Sequence, residues 1–296
     1  MIQIINWVIN SFSFKSTIVC IITIGLVVAP KVFVQIKGEN NVMFGNPTVL
    51  VREALYNLGN YNQAIQYYDK ALAIDPHYSY ALTNKGVALD NLENYTGASR
   101  YLDKALAIDP HNVRALNGKG VALYGLGNYT GAIEYYDKAL AIDSHYVNAL
   151  YNKGWTLGVL GNYNGAIEYY DKALAIDPHY INALRNKGWT LAGLGNYTGA
   201  IEYYDKALAI DPRDKFALTN KGAALDGLGN HAEAIQYYDK ALAIDPHFVL
   251  ALNGKGLALD SLGNHSQAIH YYDQALAIDP TDKDALILKQ SAQAKH

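Results

Sequence analysis

Histidine, aspartate and lysine, the residue types that could bind a metal or transfer protons, recur at intervals of 34 residues. Imidazole and carboxylate groups would predict a metal or catalytic centre if several of them met in one place. The repeating histidines are His77, His111, His145, His179 and His247. Because each lies in a different unit of the chain, they cannot surround one ion tetrahedrally. The acidic and basic residues follow the same period, so the sequence predicts no enzyme, no catalytic residue, no metal and no cofactor.

Composition narrows the classes of partner. The 296 residues carry a net charge of −3, and no cluster of lysine and arginine appears, which argues against nucleic acid as a partner. Half of the residues are hydrophobic, enough to build a buried core. The only cysteine, Cys20, excludes an intramolecular disulfide framework and a cysteine-based zinc site.

The regular spacing comes from an internal repeat. The hexamer Ala-Leu-Ala-Ile-Asp-Pro begins at residue 71 and returns every 34 residues, with Ser144 as the only substitution. A second marker, Leu-Gly-Asn, keeps a constant offset from it. These markers divide the chain into seven repeats: 45–78, 79–112, 113–146, 147–180, 181–214, 215–248 and 249–282. An apolar segment, 1–44, precedes them, and 283–296 follows.

Each repeat predicts two helices. In the fourth, apolar spacing indicates a first helix over about 147–160, which Gly161 ends because glycine tolerates the left-handed conformation. The second helix is expected over roughly 164–175, and Asp177-Pro178 closes the repeat. Such a hairpin cannot bury its apolar face alone, so the repeats must stack as an all-α solenoid.

The repeat resembles the tetratricopeptide repeat (TPR). Its eighth residue is glycine in six repeats, its twentieth is alanine in all seven, and its twenty-fourth is tyrosine in six. Arg52 and Leu102 are the departures at the glycine and aromatic positions. The resemblance implies a right-handed superhelix, in which 283–296 forms a C-terminal capping helix with Gln290 and Gln293 on its polar outer face.

In TPR solenoids the first helices line the concave surface, so the resemblance places a groove on the stripe opposite their core positions. Asparagine can pair with a peptide backbone, and tryptophan and tyrosine offer large contact areas. The candidate groove residues are Asn84, Asn148, Tyr151, Asn152, Trp155, Asn182, Arg185, Asn186, Trp189 and Asn220. An alternative is that these asparagines are ordinary repeat residues and the tryptophans only fill a narrow superhelix. The lysine and asparagine clamp of chaperone-binding TPR proteins is absent.

A lysine stands at the seventh position of most repeats, beside the core stripe. Its stem is expected to pack while its amine reaches an acidic neighbour. Two rows of aspartate offer partners: one contains Asp69, Asp137 and Asp171, and the other Asp75, Asp143 and Asp177.

The apolar run from Ile18 to Ala29 leaves several interpretations of 1–44 open. It resembles the core of an export signal, but it could also be a membrane anchor, a segment that packs into a neighbouring subunit, or a misassigned start. Four Asn-x-Ser/Thr triplets favour export as acceptors of N-linked glycans. They begin at Asn94, Asn128, Asn196 and Asn264. Asparagine at these turns also serves to end one helix and start the next.

The sequence therefore predicts a non-catalytic interaction scaffold that binds a protein or peptide in its groove. The alternative is a structural subunit that associates head to tail into a filament or oligomer, because an open solenoid exposes two unlike ends. Location outside the cytoplasm, whether secreted, at the cell surface or membrane-anchored, is favoured over a cytoplasmic one.

Overall fold

The computed structural model describes residues 34–35, 44–45 and 59–295. β1 (Val34–Gln35) and β2 (Phe44–Gly45) form an antiparallel pair in which Val34 lies opposite Gly45. The apolar run Ile18–Ala29 and nearly all of the predicted first helix of the first repeat lie outside the described residues. Within the part described, no helix is both long enough and apolar enough to cross a lipid bilayer.

The chain divides into two compact units, one up to Asn128 and one from Tyr129. The described part of the N-terminal unit has four helices: α1 (Tyr61–Ile74), α2 (Ser79–Asn91), α3 (Tyr95–Ile108) and α4 (Val113–Gly125). The C-terminal unit, through residue 295, has ten: α5 (Tyr129–Ile142), α6 (Val147–Val159), α7 (Tyr163–Ile176), α8 (Ile181–Gly193), α9 (Tyr197–Ile210), α10 (Lys215–Gly227), α11 (His231–Ile244), α12 (Val249–Ser261), α13 (His265–Ile278) and α14 (Lys283–Lys295). Even-numbered helices are the first helices of their repeats, and odd-numbered helices are the second.

The ends of α6 and α7 show why the sequence folds into hairpins. Gly161 adopts a φ of 79°, in the left-handed region, and α6 ends there. The side chain of Asn162 then caps α7 by accepting a hydrogen bond of 3.0 Å from the backbone N–H of Gly165. Asp177, extended before Pro178, ends α7. The predicted pair of helices is confirmed.

Small residues allow the two helices of a repeat to approach closely. Ala166, Tyr170 and Ala173 of α7 are fully buried. A Cβ placed on Gly154 of α6 would lie 2.9 Å from the Tyr170 ring and 3.1 Å from the carbonyl oxygen of Ala166. The space that glycine leaves is therefore occupied by the aromatic ring of the partner helix.

Within each of the two units, consecutive helices pack against each other, and consecutive first helices also meet. In the C-terminal unit α8 contacts α10, α10 contacts α12, and α12 contacts α14, while α2 contacts α4 in the N-terminal unit. Within each unit, first and second helices thus form separate layers, and each hairpin covers the apolar side of the previous one. The prediction of an all-α solenoid is confirmed.

Several of the seventh-position lysines connect three helices each. The Nζ of Lys187 on α8 bonds to Asp171 on the preceding α7 and to the Tyr203 hydroxyl on the following α9, at 2.7 Å. Burial alone would lower the pKa of Lys187, but these hydrogen bonds outweigh it and the pKa is raised. The same Lys–Asp pair recurs as Lys85–Asp69, Lys119–Asp103, Lys153–Asp137, Lys221–Asp205, Lys255–Asp239 and Lys289–Asp273.

The second row of aspartates has a different role. Asp177 accepts a hydrogen bond of 3.0 Å from the backbone N–H of His179, and Asp75 accepts one of 2.9 Å from His77. These carboxylates order the turn between repeats. As partners of the seventh-position lysines, the described repeats use only the row that contains Asp69, Asp137 and Asp171.

Candidate binding surface on the first helices

Helices α6 and α8 bring eight of the ten predicted groove residues onto neighbouring first helices. Spacings of three and four residues place them on one side of each helix. The residues are Asn148, Tyr151, Asn152 and Trp155 on α6, and Asn182, Arg185, Asn186 and Trp189 on α8. We call this set the α6/α8 surface.

The two tryptophans lie side by side. The ring centroids of Trp155 and Trp189 are 6.2 Å apart, and the ring planes are tilted by 42°. The side chain of Trp189 is 45% exposed, which is unusual for so large an aromatic residue. An exposed ring braced by a second ring forms an apolar platform that is already ordered before a ligand arrives.

Next to this platform, the side chains of Tyr151 and Asn186 are hydrogen-bonded to each other. The Tyr151 hydroxyl accepts a hydrogen bond of 2.8 Å from Nδ2 of Asn186. The Tyr151 ring meets Tyr180 edge-on with centroids 5.2 Å apart, and the Tyr180 hydroxyl donates to Asn148 at 3.4 Å. Burial raises the pKa of Tyr180, so this hydroxyl stays protonated.

The guanidinium of Arg185 is bound by side chains of the same chain. Its Nη1 lies 3.0 Å from a carboxylate oxygen of Asp214, and its Nη2 donates to Asn182 at 3.0 Å. Its guanidinium also lies over the Phe216 ring, 5.1 Å from the centroid. Asp214 is buried and caps α10 through the backbone N–H groups of Phe216 and Ala217. The charge of Arg185 is therefore balanced locally, and the α6/α8 surface has little net charge.

The Arg185–Asp214 pair belongs to a series that the sequence analysis missed. The fifth residue of a first helix meets the N-cap residue of the next first helix, 29 positions later. Asn112 donates to Thr83 at 3.4 Å, and Asn253 donates to Asp282 at 3.4 Å. At the same offset Thr219 corresponds to Phe248, whose side chain cannot form a hydrogen bond. The buried hydroxyl of Thr219 has no hydrogen-bond partner. The constant offset of 29 residues is the signal that could have revealed the series.

The other two predicted groove residues lie elsewhere. Asn84, in the N-terminal unit, is only 3% exposed, and its Nδ2 donates to the backbone carbonyl of Tyr80 at 2.8 Å. Asn220 is partly exposed on α10. It lines a concavity of about 720 Å³ that lies mainly between α10, α12 and α14.

A metal site would need several ligating side chains close together among the described residues. Across 59–295, no three His, Cys, Asp or Glu side chains are close enough together to hold a metal ion. Another concavity, of about 830 Å³, involves the turns before α8 and α10 and includes Asn182 and Arg185. There Lys215 is paired with Asp245 at 2.5 Å, so its charge is balanced.

The four candidate glycan acceptors, Asn94, Asn128, Asn196 and Asn264, are exposed at turns between helices. Asn94 and Asn196 cap the following helices through Oδ1, which accepts hydrogen bonds from Gly97 at 3.0 Å and from Gly199 at 2.9 Å. Their Nδ2 atoms, where a glycan would be attached, are not used in this cap.

Comparisons with known proteins give one consistent result. Two models of the tetratricopeptide repeat match the chain, one over 83–147 and the other over 53–78, 147–180, 181–214, 216–248 and 249–282. Together these segments cover most of the sequence. A search of curated proteins found no match.

Three solved structures are similar in fold. A chain of the APC/C hetero-tetramer Cut9-Hcn1 is 19% identical with a TM-score of 0.74, and the match covers 94% of this chain but only 51% of that one. PilW, a widely conserved type IV pilus biogenesis factor, is 26% identical with a TM-score of 0.65, covering 71% and 97%. YrrB, a TPR protein with an unusual peptide-binding site, is 24% identical with a TM-score of 0.52, covering 65% and 99%.

Proposed function

The chain belongs to the tetratricopeptide repeat family, and on that premise we propose that it is a non-catalytic scaffold whose α6/α8 surface binds an extended segment of a partner protein. The observation that carries the proposal is the Trp155–Trp189 pair, with one ring braced by the other and nearly half exposed. Exposed aromatic residues that are already ordered are typical anchors of protein interfaces.

Polar groups around the pair suit a peptide backbone. An asparagine side chain both donates and accepts, so it can match the N–H and the C=O of one peptide unit. Asn152 and Asn186 stand at equivalent positions of α6 and α8, and Asn186 is already oriented by its bond to Tyr151. Such preorganisation lowers the entropy cost of binding. Because Arg185 is neutralised by Asp214, the surface favours apolar and uncharged segments.

The fold likeness to YrrB is consistent with this proposal, since YrrB is itself a peptide-binding TPR protein. At 24% identity that likeness concerns the fold alone. The position of the binding site on this chain is argued from its own residues.

Selection of a random dodecapeptide library on the full chain tests the proposal. Peptides that bind the wild type should bind the double variant Trp155→Ala, Trp189→Ala about tenfold or more weakly, because the anchor rings are lost. Ile176→Ala removes a comparably exposed apolar side chain from second helix α7 and serves as the matched control. The proposal fails if the double variant binds the selected peptides as tightly as the control does.

A second candidate function is self-association, which is supported by the exposure of one leucine on the last helix. Leu252 on α12 is buried, whereas Leu286, at the same repeat position on α14, is exposed among the described residues. A second copy of the chain could cover Leu286 as one repeat covers another. Light scattering distinguishes the cases: Leu286→Asp should convert an oligomer to a monomer, and a wild type that is monomeric at all concentrations removes this candidate.

Export and glycosylation complete the proposal. The exposure of Asn94, Asn128, Asn196 and Asn264, and the spare Nδ2 atoms of Asn94 and Asn196, support modification if the chain reaches a glycosylating compartment. The intact mass of protein from its native source tests both points. A mass equal to that of the unmodified full sequence would contradict export with cleavage and glycosylation.

A further inference from the structure

A second concavity lies on the same layer of first helices, beyond the α6/α8 surface. First helices α10, α12 and α14 line it together with His231 and Tyr238 of α11, and its volume is about 720 Å³. We call it the C-terminal subsite and define it by Asn220, Leu250, Asn253, Leu257, Asp284 and Ile287. Only Asn220 of these was expected from the sequence to bind a ligand.

Aliphatic side chains dominate its walls. Leu250 is 56% exposed and Ile287 is 63% exposed, and Leu257 is also exposed. Ala223 on α10 stands at the same repeat position as Leu257 on the neighbouring first helix α12. Its small side chain leaves the concavity open. Clustered exposed aliphatic residues on one side of a soluble fold are typical of a surface that a partner covers.

Two buried polar atoms line the same concavity without partners. Asn253 is 8% exposed, and its Nδ2 turns towards Asp282, so its Oδ1 is left without a hydrogen bond. The Thr219 hydroxyl is also buried and unpartnered, because Phe248 occupies the place of a polar N-cap residue. Buried polar atoms nearly always have partners, so a ligand that supplies a hydrogen-bond donor here would satisfy groups that the protein leaves unpaired.

The subsite has two carboxylates, and the imidazole of His231 lies beside one of them. Its lining includes Asp226 and Asp284 and contains neither lysine nor arginine. Asp226 is held by Nδ1 of His231. Asp284 forms no ion pair with any described residue. This arrangement differs from the α6/α8 surface, where the one cation is neutralised by a buried aspartate.

We propose that the C-terminal subsite binds a lysine or arginine flanked by aliphatic residues in a segment of a partner protein. The aliphatic neighbours cover Leu250 and Ile287, the backbone N–H groups donate to Asn253 Oδ1, and the cation approaches Asp284. The proposal deepens the proposed function and rests on its premise that a partner segment lies along the first helices, but it does not depend on the two tryptophans.

The probe is a peptide array in which a Leu-Lys-Leu core is moved through a neutral Ser-Gly-Asn background. A matched array carries Leu-Gln-Leu. The full-length wild type should retain the lysine peptides two- to fivefold more strongly than the glutamine peptides, as expected for one partly exposed ion pair. High ionic strength should remove the difference.

Asp284→Asn should abolish the preference for lysine while the retention of glutamine peptides is unchanged. Glu202→Gln removes an exposed carboxylate from second helix α9 and should leave the preference intact. Equal retention of both arrays by the wild type, or an unchanged preference in Asp284→Asn, overturns the inference.

The two proposals fail separately. If the Trp155→Ala, Trp189→Ala variant keeps all peptide binding but the lysine preference still depends on Asp284, the α6/α8 assignment is wrong and the C-terminal subsite stands. If selected peptides require the tryptophans but show no dependence on Asp284, the reverse holds.

Discussion

Asp226 at the end of α10 is held by the imidazole Nδ1 of His231, five residues later, across the turn to α11. Asp260 and His265 form the same pair at 2.5 Å in the next repeat. Asp90 occupies the equivalent position of α2, but Tyr95 stands where the histidine would be. Asp90 is 8% exposed, and both of its carboxylate oxygens are buried without a hydrogen bond. The second repeat therefore has the aspartate of this pair without the histidine, whereas the sixth and seventh repeats have both.

Asp90 should make the stability of the N-terminal unit depend on pH. Burial raises the pKa of its carboxyl group to about 8, from an ordinary value of 3.8. The folded state holds this proton more tightly than the unfolded state. The stabilising contribution of protonated Asp90 is therefore fully present below about pH 4 and is lost as the pH rises towards 8. Asp90→Asn should therefore raise the melting temperature at pH 8 more than at pH 5, measured by circular dichroism. Asp226→Asn, which removes a partnered carboxylate, should bring no such gain.

Tyr95→His should complete the pair in the second repeat. The new imidazole would reach Asp90 as His231 reaches Asp226, and a hydrogen bond to a buried carboxylate is worth about 1.5–3 kcal/mol. Urea unfolding at pH 8 should show a gain in stability for Tyr95→His in the wild-type background. In the Asp90→Asn background the gain should shrink; an equal effect in both backgrounds would mean that the two side chains do not interact.

Two glycines of α6 should respond in opposite ways to alanine. In Gly154→Ala the new Cβ would meet the Tyr170 ring at 2.9 Å and a backbone oxygen at 3.1 Å, so we expect a loss of about 1–3 kcal/mol. In Gly158→Ala the Cβ meets only the Cβ of Ala166, at 3.7 Å, and helix propensity predicts a gain of up to about 1 kcal/mol. Thermal unfolding of the two variants checks both signs, and a similar loss in each would contradict the packing described for Tyr170.

Lys187 should stabilise the stack more through its stem than through its charge. Its side chain is buried, but its partner Asp171 is about half exposed, which limits the value of the ion pair. Lys187→Met keeps the stem and should cost less than about 1 kcal/mol. Lys187→Ala removes the stem as well and should cost about 2 kcal/mol or more. Equal losses in denaturant unfolding would show that the charge dominates.

The repeat, the helix ends and the small core residues could be predicted because they depend on local signals. Gly161, Asn162 and Pro178 determine the ends of α6 and α7 from within their own repeat. The clustering of eight groove residues on α6 and α8 likewise follows from their common repeat positions.

Other features depend on which residues of different repeats meet. The pairing of Arg185 with Asp214 joins positions 29 residues apart and needs the stacking of two first helices. The C-terminal subsite forms where three first helices meet and where the small side chain of Ala223 leaves space. The missing partner of Thr219 is visible only once Phe248 is placed beside it. The repeat positions alone do not show which of these side chains become neighbours.

Tryptophan fluorescence tests the α6/α8 surface most directly. The chain has three tryptophans, so Trp7→Phe leaves Trp155 and Trp189 as the only reporters. Titration with a selected peptide that lacks tryptophan should shift their emission to shorter wavelength and saturate with the same dissociation constant as direct binding, because the ligand removes water from Trp189. Emission that stays constant while the peptide binds would contradict the central claim.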